Sequence, residues 1–257
     1  MWSLSDVIRE TLNPQMDEFL QHFQIQVRAV PKAYGLGEEM RNRSKETIKD
    51  QVAAAVAGQY IDFTAGLDGG LGALADLMRL ELPEHEEGGG QFVDANGMEL
   101  GEAFFHGILL QALLKGVDPR TDLNALSAQQ MGLTPKTYLK AWTDSLTELC
   151  RSVTKYFIAT NPDNSIREEI LKRLYEGLEA AVDILTIFEG VPPNVIDAGN
   201  RFGFKNSFRS RMGRIRGAAG RVSSEITLLQ VSNNHEISLQ KMFEGFIKRI
   251  EQMMPKG

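Results

Sequence analysis

A single cysteine, Cys150, is all the thiol chemistry that 257 residues contain. It excludes an internal disulfide, and with only four scattered histidines it leaves no zinc-type ligand spacing. A reducing compartment, cytoplasm or nucleus, is the expectation. Long apolar runs are missing as well. Nothing approaches the roughly 20 apolar residues of a bilayer span, and Met1-Trp-Ser-Leu-Ser-Asp6 lacks the charged region and apolar core of a secretory signal. A soluble chain with no membrane partner follows. Nucleotide fingerprints are absent: Leu67-Asp-Gly-Gly-Leu-Gly72 is glycine-rich but has neither the P-loop lysine nor a preceding strand. A ferritin-like di-iron centre needs Glu-x-x-His on two helices, whereas Glu102 and His106 are four apart and no second motif follows. Cys150 has no histidine signature nearby and reads as a packing residue.

No stretch alternates apolar and polar residues as a strand would, and helical periodicity dominates. The expected fold is all-α, a single-domain bundle of about seven helices over residues 1–257. The first helical region spans about residues 5–30, interrupted near Pro14 and closed by Pro31, Gly35 and Gly37. A second spans about 38–80, with Gly58 and the glycines from Gly66 to Gly72 as weak points. Residues 83–97 are turn-rich and acidic and predict a mobile loop. A helix over 98–115 is apolar nearly all round, which predicts burial. Thr134-Pro135 reads as an N-cap followed by proline at the first helical position. The amphipathic helix it opens carries Leu139, Trp142, Leu146, Leu149, Val153 and Phe157 on its core side. Helices over about 165–188, 204–231 and 236–253 complete the chain.

Two of these helices carry paired carboxylates: Glu99 and Glu102 on one, Asp144 and Glu148 on another. Residues three or four apart are neighbours on a helix surface, so each pair offers two oxygen donors to one point. A hard cation such as Mg²⁺, or Mn²⁺ in its place, wants such donors. At about 100° per residue, Glu99, Glu102 and His106 fall within about 60° of one another. Ionised carboxylates on a buried helix are costly unless they are paired or bind metal. His106 reads as a hydrogen-bonded core histidine that could support the site from behind. Asp144 and Glu148 lie opposite their helix's apolar side, near Arg151 and Lys155. Alone, that pattern is a solvated face with ion pairs, and only a partner surface makes it a site.

The net charge is −6, yet seven basic residues and no acid fall between Arg201 and Arg221. On the helix over 204–231 they flank an apolar face of Phe208, Met212, Ile215, Ala219, Val222 and Ile226. One row is Lys205, Arg209 and Arg216; the other is Arg211, Arg214 and Arg221. Both rows suit a phosphate backbone at the edge of a groove. A solvated or salt-bridged helix face is the alternative.

Met98-Glu-Leu-Gly-Glu-Ala-Phe-Phe-His106, then Tyr138-Leu-Lys-Ala-Trp-Thr-Asp-Ser-Leu-Thr-Glu-Leu-Cys-Arg151, then Glu169-Ile-Leu-Lys-Arg-Leu-Tyr-Glu-Gly-Leu178 resemble the ordered signature of the translin family. Within it they are closest to the translin-associated factor X type. The resemblance runs in order from about 98 to 229, and the carboxylate spacings match at Glu99, Glu102, Asp144 and Glu148. It implies a seven-helix subunit of a hollow octamer, homomeric or shared with a translin-type subunit, that binds single-stranded RNA or DNA. For the factor X type it implies a Mg²⁺-dependent endoribonuclease whose acidic site faces the interior. Glu99, Glu102 and Asp144 would bind the metal, and Glu148 would be a further ligand or orient the attacking water. The family's aromatic between the two glutamates is replaced here by Leu100-Gly101, and Gly101 loosens a helix by roughly 1 kcal/mol relative to alanine. Two other functions fit the same residues. One is a non-catalytic single-strand-binding subunit that partners a catalytic homologue; the other is a helical scaffold in which acids and arginines form ion pairs.

Overall fold

In a computed structural model the chain is described over residues 2–16, 34–59, 89–192, 196 and 207–253. The described residues form seven α-helices and no strands: α1 (Leu4–Leu12), α2 (Tyr34–Val56), α3 (Gly89–Lys115), α4 (Arg120–Asn124), α5 (Pro135–Thr160), α6 (Asn164–Leu185) and α7 (Phe208–Met253). Short 3₁₀ turns, Asn13–Gln15 and Thr186–Gly190, follow α1 and α6. One continuous apolar core joins the helices, as the all-α single-domain expectation requires. Central α3 packs on α5 and α2, α7 lies along α6 and α5, and α1 lies on α6.

Local chemistry sets several boundaries. Thr134 caps α5 by accepting from the Thr137 amide, with Pro135 at the first helical position. At the other end Asn161 takes a left-handed conformation, φ 43°, and its amide closes on the Phe157 carbonyl. Asparagine tolerates that region better than most residues. Helix α2 ends at Val56, just before Gly58, a weak point of the longer expected region, where φ is +70°.

Three expectations are corrected. Gly35 and Gly37 do not close a helix; they lie inside the first turn of α2, which starts at Tyr34. Residues 89–97 are not loop but the first turns of α3. Packing outweighs glycine's poor helix propensity there: Gly97 lies so close to the Leu133 side chain that a Cβ would collide with it. The polar run Ser232-Asn-Asn-His235 does not separate two helices, since α7 passes through it unbroken. The remainder of the expected loop (83–88), residues 17–33 of the first helical region, and residues 60–80 of the second lie outside the described residues.

The α3–α5 interface positions the acids. Phe105 stacks on Trp142 (4.6 Å between centroids, 24° between planes) and meets Tyr138 edge-on at 5.2 Å. Aromatic pairs in such geometries contribute about 0.5–1.5 kcal/mol beyond area burial. One turn earlier, a Cβ on Gly101 would lie 2.8 Å from the Ala141 Cβ. Gly101 is therefore the close-approach point of the two helices. Gly101→Ala gains about 1 kcal/mol of helix propensity and loses about 1–3 kcal/mol to overpacking. Net destabilisation is expected in thermal unfolding, much of it relieved by adding Ala141→Gly; an unchanged or raised melting temperature in the single variant would contradict this close approach.

Candidate acidic site

The four carboxylates come from two helices that Gly101 and Ala141 hold close. Glu99 is largely buried at the α2 side of α3, 3.4 Å from Arg41 Nε, and its backbone carbonyl accepts from Ser44 Oγ at 2.6 Å. Glu102, one turn on, is partly buried and sits within electrostatic reach of Glu99, Glu148, Arg211 and Arg151. On α5, Glu148 is only 17% exposed and pairs with Arg151 at 2.7 Å and Lys155 at 3.9 Å. Asp144 is 14% exposed and is held by two guanidiniums of α7, Arg211 and, at 3.1 Å, Arg214. The partner surface that Asp144 and Glu148 need is therefore supplied within the chain, by α3 and α7.

Electrostatics reflect this crowding. Burial, then the charges of Glu99 and Glu148, push the Glu102 carboxyl up to about 7, against the opposing pull of Arg211 and Arg151. Arg211 is pulled down to about 10 by burial and by Arg214, while Glu102 and Glu99 oppose that shift. A guanidinium at 6% exposure thus neutralises carboxylates of both α3 and α5.

Behind the acids runs a polar seam. Gln51 Nε2 donates to the Ala103 carbonyl at 3.0 Å, so its Oε1 faces His106 Nδ1 at 2.7 Å as an acceptor. His106 therefore carries its proton on Nδ1 and accepts from Ser152 Oγ through Nε2 at 2.8 Å. It is fully buried, and burial, then Lys155, lowers its pKa to about 3. Neutral His106 bridges α2, α3 and α5 as a core histidine. Because its folded pKa is depressed, its contribution to stability is complete above the ordinary value near 6.5 and is lost as pH falls toward 3. In urea unfolding, the stability gap between wild type and His106→Gln should shrink by about 2–3 kcal/mol from pH 7.5 to 4.5. An equal gap at both pH values would show that His106 is charged when folded.

The expected nucleic-acid residues divide. Arg211 and Arg214 turn to Asp144. Arg209 donates to the Glu189 carbonyl at 3.1 Å, and Arg216 pairs with the Glu189 carboxylate at 2.6 Å. Arg221 is exposed, and Lys205 lies outside the described residues. Two cations that the sequence places beside Asp144 and Glu148 as ion-pair partners pair with Glu148. Arg151 and Lys155, 63% and 58% exposed, stand with Arg214 around the acids as a basic rim. Their spacing, three and seven residues after Glu148, is the one from which the sequence predicts ion pairs.

By donor type, Glu99, Glu102 and Glu148 suit a hard divalent cation, whose charge would oppose the burial and the neighbouring carboxylates that raise Glu102. They do not form a ligand set as they stand: among the described residues no three His, Cys, Asp or Glu side chains are gathered as metal ligands. Asp144 is withheld by its arginines. No protein-family model, curated protein or solved structure matches the chain.

Proposed function

We propose that the protein is a translin-like subunit of the factor X type, a Mg²⁺-dependent endoribonuclease acting on single-stranded RNA. The observation that carries the reading is Glu102 on α3 within electrostatic reach of Glu99 and of Glu148 on α5, with Asp144 on the same helix as Glu148 and held there by two arginines of α7. Glu99, Glu102 and Glu148 would hold the metal, with Asp144 completing the set once it leaves its arginines. When bound, Mg²⁺ supplies charge stabilisation at the scissile phosphate and activation of water. The chain's own part is positioning. Arg151, Lys155 and Arg214 bind phosphates without reading bases. Exposed Arg221 extends the phosphate track along α7.

Assembly belongs to the same reading. From Leu228 onward α7 leaves Leu228, Val231, Met242 and Phe243 between 59% and 70% exposed, a surface suited to packing subunits into a homo-octamer or a hetero-octamer with a translin-type partner. A second reading rests on the Asp144 ion pairs: a non-catalytic subunit that binds single-stranded RNA or DNA and uses these charges structurally. Magnesium separates the two. A labelled single-stranded RNA should be retained in EDTA, released steeply as salt rises, and cut only when Mg²⁺ or Mn²⁺ is added. Retention without cutting, with either metal, would favour the binding subunit.

A further inference from the structure

Helix α7 carries two apolar faces, and the body covers one of them. At about 100° per residue, the buried line Phe208, Met212, Ile215, Ala219 and Val222 and the exposed line Leu228, Val231, Leu239, Met242 and Phe243 lie roughly 160° apart around the helix. The exposed line therefore faces away from the helices that pack on α7. Glu168 of α6 accepts from Gln230 at 3.0 Å and from Asn233 at 3.3 Å. Among the described residues these are the last hydrogen bonds between α7 and another helix, and α7 runs on for about 30 Å beyond them. Helices in proteins take most of their stability from packing an apolar face. An outer stripe on this length of helix calls for a partner.

The makeup of the stripe selects which partner. Its five side chains are 45% to 70% exposed and together present roughly 500 Å² of apolar surface. One side of a standard interface buries about 800 Å², somewhat more than half of it apolar, so two such stripes facing each other meet the need of a stable pair. Among the described side chains the stripe is bordered by Ser232, Ser238 and Gln240, while Lys241 and Glu244 fall at the back of the helix. An identical surface meets it without like-charge repulsion, whereas a charged partner finds no counter-ion on it. The first half of α7 then sets the orientation. Arg214 and Arg221 are exposed on the same side of the helix as the stripe. Parallel pairing would set these cations against their own copies; antiparallel pairing sends them to opposite ends.

Resting on the assembly part of the function proposed above, we propose that the outer stripe of α7 is covered by a second copy of this chain, the two helices pairing antiparallel about a two-fold axis near His235. That register sets Leu228 of one copy beside Phe243 of the other. The contact is isologous, so it closes on itself and makes a dimer the unit of any larger assembly.

The test is the mass of the full chain in metal-free buffer, measured by analytical ultracentrifugation across a dilution series. The wild type should sediment as a dimer or an even multiple of one. Phe243→Glu and Leu239→Glu should each weaken association by about tenfold or more, since each puts a charge where an apolar side chain is buried in both copies. Ile237→Glu changes an apolar residue that is also half exposed, but on the other side of the same helix, and should leave association at the wild-type value. All three positions are exposed, so the core does not depend on them. Orientation is read in a Cys150→Ser background, where oxidation of mixed Leu228→Cys and Phe243→Cys chains should join unlike chains. Disulfides formed chiefly between like chains would overturn the antiparallel pair. An oligomer whose mass neither stripe variant changes overturns the pairing and leaves assembly to another surface; so does an Ile237→Glu that dissociates as readily as Phe243→Glu. A wild type that is monomeric throughout overturns the pairing together with the assembly it rests on, and shows that the stripe is covered by this chain or by a different protein.

Discussion

Asp144→Ala lowers stability by about 1–3 kcal/mol in urea unfolding, because buried Arg211 loses a paired carboxylate while Glu102 and Glu99 still offset part of its charge. The cost arises from the poorer compensation of that buried charge rather than from the net value of the pair. Removing both partners in Asp144→Leu/Arg211→Met should therefore return stability to within about 1 kcal/mol of wild type. If Asp144→Ala unfolds at the wild-type urea concentration, the ion pair is absent in solution. The result bears directly on how the site is tested. Loss of activity in Asp144→Ala would follow from damage to the α5–α7 contact alone and would say nothing about chemistry.

Glu102 behaves in the opposite way. Its carboxyl titrates near 7 when folded, above the ordinary 4.5. The stability linked to its protonated form is fully present below 4.5 and is lost as pH rises through 7. Glu102→Gln cannot ionise, so in metal-free buffer at pH 8 it should be more stable than wild type by about 1–2 kcal/mol, a figure reduced for the side chain's partial contact with water. At pH 4 the two should unfold alike. The same substitution should reduce RNA cleavage by about two orders of magnitude or more, since even groups behind a metal ligand are worth 10–100-fold. A variant more stable and less active marks a residue kept for function at a cost to the fold. Equal stability at pH 8 would remove the crowding argument.

Much of this molecule was legible in its sequence, and what was not has physical causes. The cap at Thr134-Pro135 and the all-round apolar character of residues 98–115 are local signals, and both led to the correct element. The start of α3 misled because Gly89, Gly90 and Gly97 disfavour a helix locally, while contact with Leu133, distant in sequence, holds one there. Gly101 looked like a weakness and is a contact point, which only the position of Ala141 reveals. Spacing alone paired the carboxylates within each helix, but that Glu102 feels Glu148 depends on how α3 crosses α5. The arginines of α7 were the hardest to read. Arg211 sits three residues after Phe208 and four before Ile215, both buried, and that spacing marks it as a core-flank charge in need of an acid. Reading the row as a phosphate edge overlooked this. The identity of its partner, Asp144, 67 residues away, is a property of the fold alone.

The most direct test of the central claim compares wild type and Glu102→Gln on one labelled single-stranded RNA, with binding measured in EDTA and cleavage measured after Mg²⁺ is added. The account predicts that both bind the RNA equally and that only the wild type cuts it. Cutting by Glu102→Gln at the wild-type rate, or cutting by the wild type in EDTA, would contradict it.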